Sequence, residues 1–178
     1  MAIAHLPTQL TPQLITPENF QPYGQVIFPT DDSKQFDLND AQLVLSGIPR
    51  FYIMHLRKVG LRFHSLARHQ QCTQCLGSLA GKEWFMVVAP ASAPAEIDIT
   101  QIAAFRITGN CFIKLNAGTW HAGPLFEEEF IDFYNLELHD TNINDYEVCN
   151  LRKLYNLNFE LQIRSLLGTL NSEKFQTE

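Results

Sequence analysis

Residues 109–126 read GNCFIKLNAGTWHAGPLF, and their reading decides the fold. Cys111 to Asn116 alternates as a β-strand does, Gly118 offers a tight turn, and Gly123-Pro124 closes the stretch. Between the turn and the Gly-Pro pair stands Trp120-His121. A histidine just past a glycine turn that closes a strand is aimed into the mouth of a β-barrel. What it does there depends on partners from the rest of the chain.

Working outward, the same strand signature recurs. Trp84 to Ala89, WFMVVA, is the most strongly β run and stops at Pro90, while Ile102 to Ile107 and Phe130 to Leu138 flank the opening stretch. Upstream, Gln25 to Phe28, Ala41 to Leu45, Arg50 to Leu56, Leu61 to Ala67 and Thr73 to Leu79 read as strands, with Ser46-Gly47-Ile48-Pro49 as one of the turns. About eight or nine short strands at intervals of about ten residues predict an all-β sandwich or barrel. Residues 30–41 and 90–96 read as loops. Thr16 before Pro17 signals a helix start, kept short by Pro22 and Gly24. From Val148 to Leu170 the pattern changes. Leu157, Leu161 and Arg164 to Leu167 fit one face of a C-terminal helix packed on the barrel or on another subunit, and Tyr155 and Phe159 fit a strand instead. The chain reads as one domain over 1–178, with a lead-in at 1–30, a barrel at 41–140, a helical or irregular segment at 148–172 and a frayed end.

Composition narrows the function. The 178 residues are 46% hydrophobic and 18% charged, enough for one domain with a genuine core, and thirteen Phe against three Met point to a core of rigid aromatics. A net charge of -6 without a basic run excludes nucleic acid and anionic membrane as partners. No apolar stretch approaches the roughly 20 residues that span a bilayer. MAIAHLPTQLTPQ has neither the basic nor the apolar region of a signal peptide, so a cytoplasmic protein with reduced thiols is expected. Cys72-Thr-Gln-Cys75 is a CxxC that reads as small strand residues, half a zinc site or a redox pair. Cys111 and Cys149 stand apart and complete no second pair.

Of the six histidines, His5 and His139 lie in polar surroundings and His55 and His64 on strands of unclear facing. His69 and His121 stand out by register. Ala67, His69, Gln74 and Gly81 occupy the His, His, Glu and Gly places of the first cupin motif. Asn116, Gly118 and His121 occupy the Pro, Gly and His places of the second. The expected architecture is a cupin-type double-stranded β-helix (jelly-roll) barrel with a few short helices, one near the C-terminus. A metal site would consist of His69, Gln74 and His121, and two neutral imidazoles with an amide would hold a divalent metal weakly.

Arg68-His69, Thr73-Gln74, Gly81, Val87-Val88-Ala89, Ala104-Phe105, Gly118-Thr119-Trp120-His121, Pro124-Leu125 and Asp132-Phe133 together resemble the ureidoglycolate lyase family. Glu18, Phe20, Tyr23-Gly24 and Val26-Ile27 resemble its lead-in. The resemblance covers roughly residues 15–135. It implies a homodimeric cupin that splits ureidoglycolate into glyoxylate and urea in purine (allantoin) nitrogen use. The chain departs from the family at Ala67 and Ala122, where the family has Glu and His, and at Lys114, where it has Asn.

Breaking this carbinolamine needs a base for the hydroxyl, an acid for the departing nitrogen and a cation or donors for the carboxylate. The expected roles are proton transfer by His121, with His69 as its partner or a metal ligand. Gln74 would bind the ureido group or hydroxyl, Lys114 the carboxylate if it points inward rather than to solvent, and Asp132 would serve as a site-proximal partner. Trp120 reads as a core anchor and Glu127-Glu128-Glu129 as a solvated turn. Against the lyase stands a non-catalytic cupin that binds a small carboxylate. Ala67 and Gln74 argue against a third reading, a metal-dependent oxygenase or isomerase.

Overall fold

The computed structural model describes residues 6–163. The chain is mostly β with a few short helices, as its patterning predicts. Five strands, β1 (Thr8–Leu10), β2 (Gln13–Leu14), β3 (Gly24–Ile27), β4 (Pro49–Arg57) and β5 (Arg62–Phe63), precede the central region. There follow β6 (Ser65–Arg68), β7 (Gln74–Ser78), β8 (Trp84–Ala89), β9 (Ala103–Ile107) and β10 (Phe112–Leu115). The last four are β11 (Trp120–Leu125), β12 (Phe130–Leu138), β13 (Glu147–Asn150) and β14 (Phe159–Leu161). The helices are α1 (Pro17–Phe20), α2 (Thr141–Asn144) and α3 (Leu151–Tyr155). Thr16 caps α1 as its sequence predicts, with Asn19 returning the bond in a capping box.

Three sheets result, ordered β3-β10-β7-β12-β4, β13-β6-β11-β8-β9-β2 and β1-β14-β5. The two larger ones share a core. Val26, Leu76, Ile113, Leu115, Ile131 and Phe133 of the first meet Trp84, Met86, Val88, Phe105 and Ile107 of the second. The opposite face of the six-stranded sheet buries Phe85, Val87, Ala89, Trp120 and Leu125 against Phe63, Phe159 and Leu161 of the small sheet. β8 is therefore covered on both sides, which is why WFMVVA carries no polar residue. On one-sided strands alternation survives, and its phase names the inner face. In β12 that phase is Ile131, Phe133, Asn135 and Glu137.

Several expectations are corrected. Ala41 to Leu45 forms no strand. Its N–H groups bond to side chains, Gln42 N to Gln25 Oε1 (2.9 Å) and Val44 N to Thr73 Oγ1 (3.1 Å), and its ladder is reduced to the isolated Leu45–Cys72 bridge, with the Thr73 N–H donating to the Val44 carbonyl at 2.8 Å. Leu61 to Ala67 breaks at His64 and feeds two different sheets. Gly123-Pro124 does not end the opening stretch, because β11 runs on to Leu125 through a register shift after Ala122. In place of one long terminal helix, α3 stops at Asn156, whose left-handed backbone (φ 56°) turns the chain into β14. Tyr155 thus ends a helix and Phe159 starts a strand, and the remainder of the expected helix lies outside the described residues.

Candidate functional site

Strand pairing brings the two histidine motifs together. His121 on β11 sits opposite Ala67 on β6, and His69 follows just beyond the end of β6. The Gly118 N–H donates to the His69 carbonyl at 2.6 Å, tying the glycine turn to the first motif, and the two imidazole centroids lie 5.2 Å apart. Each ring is oriented through Nδ1. His69 Nδ1 donates to the Asp145 carbonyl at 2.5 Å and His121 Nδ1 to the Thr119 carbonyl at 3.2 Å. A carbonyl only accepts, so each neutral ring keeps its lone pair on Nε2. Asp145 is a hub, its carboxylate accepting the Gln70 and Gln71 N–H groups at 2.7 and 2.9 Å. Both imidazoles are buried. Burial pushes His121 down to about 4, the neighbouring His69 adds to the effect, and the Thr119 carbonyl opposes it.

Gln74, the first residue of β7, lies on the same inner face and belongs to a closed ring of hydrogen bonds. Its Nε2 donates to Asn135 Oδ1 (3.2 Å) and to Glu137 Oε2 (3.0 Å). Asn135 Nδ2 donates to the Tyr52 hydroxyl (3.1 Å), which donates to Glu137 Oε1 (3.1 Å). With both amide hydrogens of Gln74 committed, its Oε1 is the acceptor left for another molecule. Glu137 and Tyr52 are participants that sequence reasoning missed. The cupin-motif Glu position holds Gln74, and a carboxylate reaches it from β12 instead.

His121 lines two spaces. One is a narrow crevice, too tight for a water molecule, formed with His69, Cys72, Gln74, Leu115, Asn116 and Thr119. The other is an open cavity of about 420 Å³ between Leu56 of β4 on one side and Ala67 of β6, Val148 of β13 and Tyr146 just before β13 on the other. Small acids fit such a volume.

Three of the expected site residues, His69, Gln74 and His121, converge. Lys114 and Asp132 do not. Lys114 lies on the outer face of the five-stranded sheet, between Cys75 and Gln25, with Nζ donating to Asn116 Oδ1 at 2.7 Å. It is nonetheless buried, because Gln25 anchors the 38–42 loop beside it, and that burial lowers its pKa. Asp132 shares the exposed phase of β12 with Phe130 and Tyr134 and pairs with His55 at 2.6 Å. Cys72 and Cys75 are free, buried thiols, and burial raises both. Trp120 is fully buried, with Arg68 stacked 4.4 Å from its ring, while Glu127, Glu128 and Glu129 are exposed, both as the sequence predicts.

A divalent metal does not fit this site well. His69, His121 and Gln74 bring no charge, and among the described residues no three His, Cys, Asp or Glu side chains converge.

The family model for ureidoglycolate lyase matches residues 44–158. The ureidoglycolate lyase of Pseudomonas savastanoi pv. phaseolicola is 29% identical over 133 residues, covering 67% of this chain and 76% of that protein. The ureidoglycolate lyase of Pseudomonas syringae pv. tomato is 29% identical over 138 residues, covering 70% of this chain and 79% of that protein. The matched span takes in both imidazoles, Gln74 and the Tyr52–Glu137 pair, and the chain belongs to the ureidoglycolate lyase family.

Proposed function

We propose that this protein is a lyase that releases urea and glyoxylate from ureidoglycolate, or cleaves a closely related small ureido acid, in a cupin-type barrel. The observation that carries this reading is the pair of buried imidazoles with free Nε2 atoms beside the Gln74–Glu137 pair. In the reaction His121 Nε2 takes the hydroxyl proton of the carbinolamine. The freed oxygen pair forms the glyoxylate carbonyl, the C–N bond breaks, and its electron pair stays on the urea nitrogen. That nitrogen recovers the proton from His121, directly or through His69. The balance is one proton moved from oxygen to nitrogen, with no water or redox partner. With a pKa of about 4, a protonated His121 lies roughly 4 kcal/mol uphill at pH 7, so the ring carries the proton without keeping it. Gln74 Oε1 accepts a ureido N–H and orients the leaving group. Since the donor set suits a divalent metal poorly, no step runs through one.

Purified protein is expected to release glyoxylate from ureidoglycolate above the spontaneous rate, and His121→Ala to abolish the excess. No release, with or without added divalent metal, overturns the reading. Ala67, which lines the cavity opposite His121, favours a second reading of carboxylate binding without turnover. A raised melting midpoint with small acids and no glyoxylate release would select it.

A further inference from the structure

We propose that the open cavity beside His121 selects an acid bearing an apolar group, and that Arg62 holds its carboxylate. The inference rests on the lyase reading and names the class of ureido acid that the site takes. Although the chain has a net charge of -6, the cavity wall carries one guanidinium, that of Arg62, and no carboxylate among the described residues. An anion is therefore the ligand whose charge the wall complements. The rest of the wall is largely apolar. Leu56, Ala67, Ala122 and Pro124 line it, together with Val59 and Val148, which are 60% and 47% exposed. A volume of about 420 Å³ is in the range that takes drug-sized ligands, far more than ureidoglycolate fills. An apolar group on the ligand would use that room and cover the two valines.

Arg62 is set for this role by its neighbours. It opens β5 opposite Glu160 of β14, and its Nε donates to Glu160 Oε1 at 2.8 Å. That bond orients the guanidinium and occupies only its Nε side. Among the described residues no acceptor takes a hydrogen from either Nη, so the end of the fork stays open for a second, planar carboxylate. The side chain is 73% exposed, so an entering anion can reach it. In the substrate the apolar group stands on the α-carbon, in place of the hydrogen of ureidoglycolate. His121 then moves one proton from the hydroxyl to the departing nitrogen as before. The C–N bond breaks with its electron pair going to nitrogen, and the products are urea and a 2-oxo acid that keeps the apolar group.

The test is calorimetric binding of two such products, pyruvate and 2-oxoisocaproate, which differ only in a methyl against an isobutyl group. Wild type is expected to bind 2-oxoisocaproate at least about tenfold more tightly than pyruvate. Arg62→Met keeps the apolar stem and removes the charge and the fork. It should weaken both acids at least about tenfold while preserving their ratio, with Arg62→Lys falling between. Val148→Asp puts a carboxylate into the half-exposed wall at β13 and should weaken 2-oxoisocaproate at least about tenfold. Equal affinity of wild type for the two acids, or binding of neither, overturns the apolar class. Unchanged affinities in folded Arg62→Met or Val148→Asp overturn the placement in this cavity. The lyase reading fails separately, when wild type releases no glyoxylate from ureidoglycolate, and the binding comparison then still decides the ligand class.

Discussion

The depressed pKa of His121 makes stability depend on pH in a definite direction. Folded, the imidazole takes its proton near pH 4, because ionising it means charging a buried ring beside another histidine. Unfolded, it takes the proton near pH 6.5. Between those values the unfolded chain binds the extra proton, so stability falls as pH drops through the window and is unaffected above it. The loss from this one group is about 2 kcal/mol at pH 5 and about 3 kcal/mol once the window is crossed. Paired carboxylates titrate in the same range, so the measurement is a difference between proteins. His121→Gln removes the titration while keeping an amide that can donate to the Thr119 carbonyl. Urea unfolding, followed through the buried Trp84 and Trp120, is compared for both proteins at pH 7.5 and pH 5. Wild type should lose about 2 kcal/mol more than the variant over that interval. Equal losses would mean that His121 titrates normally, and the argument for a proton carrier poised on its neutral side would fail.

Lys114→Met should leave kcat/KM within about twofold, since the ammonium lies across the sheet from the imidazoles; a KM increase would return the lysine to the site. Glu137→Gln places an amide donor against Tyr52 or Gln74 and should cost about 1–3 kcal/mol in urea unfolding, with no loss showing that the ring does not hold in solution. Gly24→Ala would set a Cβ 1.8 Å from the Lys114 carbonyl oxygen, a backbone clash expected to cost at least about 3 kcal/mol, read as a drop in melting temperature. Dialysis against a chelator should leave glyoxylate release unchanged, and recovery only on adding a divalent metal would contradict the weak donor set.

What could be read from the sequence follows from how local each cause is. Trp84–Ala89 and Phe130–Leu138 form over the residues their patterns mark, because β-branched and aromatic runs between turn residues carry their own signal. Thr8–Leu10 and Gln13–Leu14 carry none; they are strands only because β14 and β9, far along the chain, offer parallel edges. At the site, motif spacing found His69, Gln74 and His121. Glu137 escaped because one glutamate near a strand end reads as solvated. Its signal was phase, since it shares the two-residue period of Ile131 and Phe133, which face the core. The same phase argument, applied to Ile113 and Leu115, turns Lys114 outward. The sequence displayed the alternation, and only tertiary packing said which side was inside.

The ring joining Gln74, Asn135, Tyr52 and Glu137 has a consequence for proton traffic. A proton passes along hydrogen bonds only through groups that both give and accept one, as a hydroxyl, an imidazole or water does. Amide nitrogens give hydrogens and do not take them, and two of the four corners here are amides that donate. The ring therefore insulates. It holds the Glu137 charge and the Gln74 carbonyl in place while offering no route by which a proton taken up at His121 could leak away to the carboxylate.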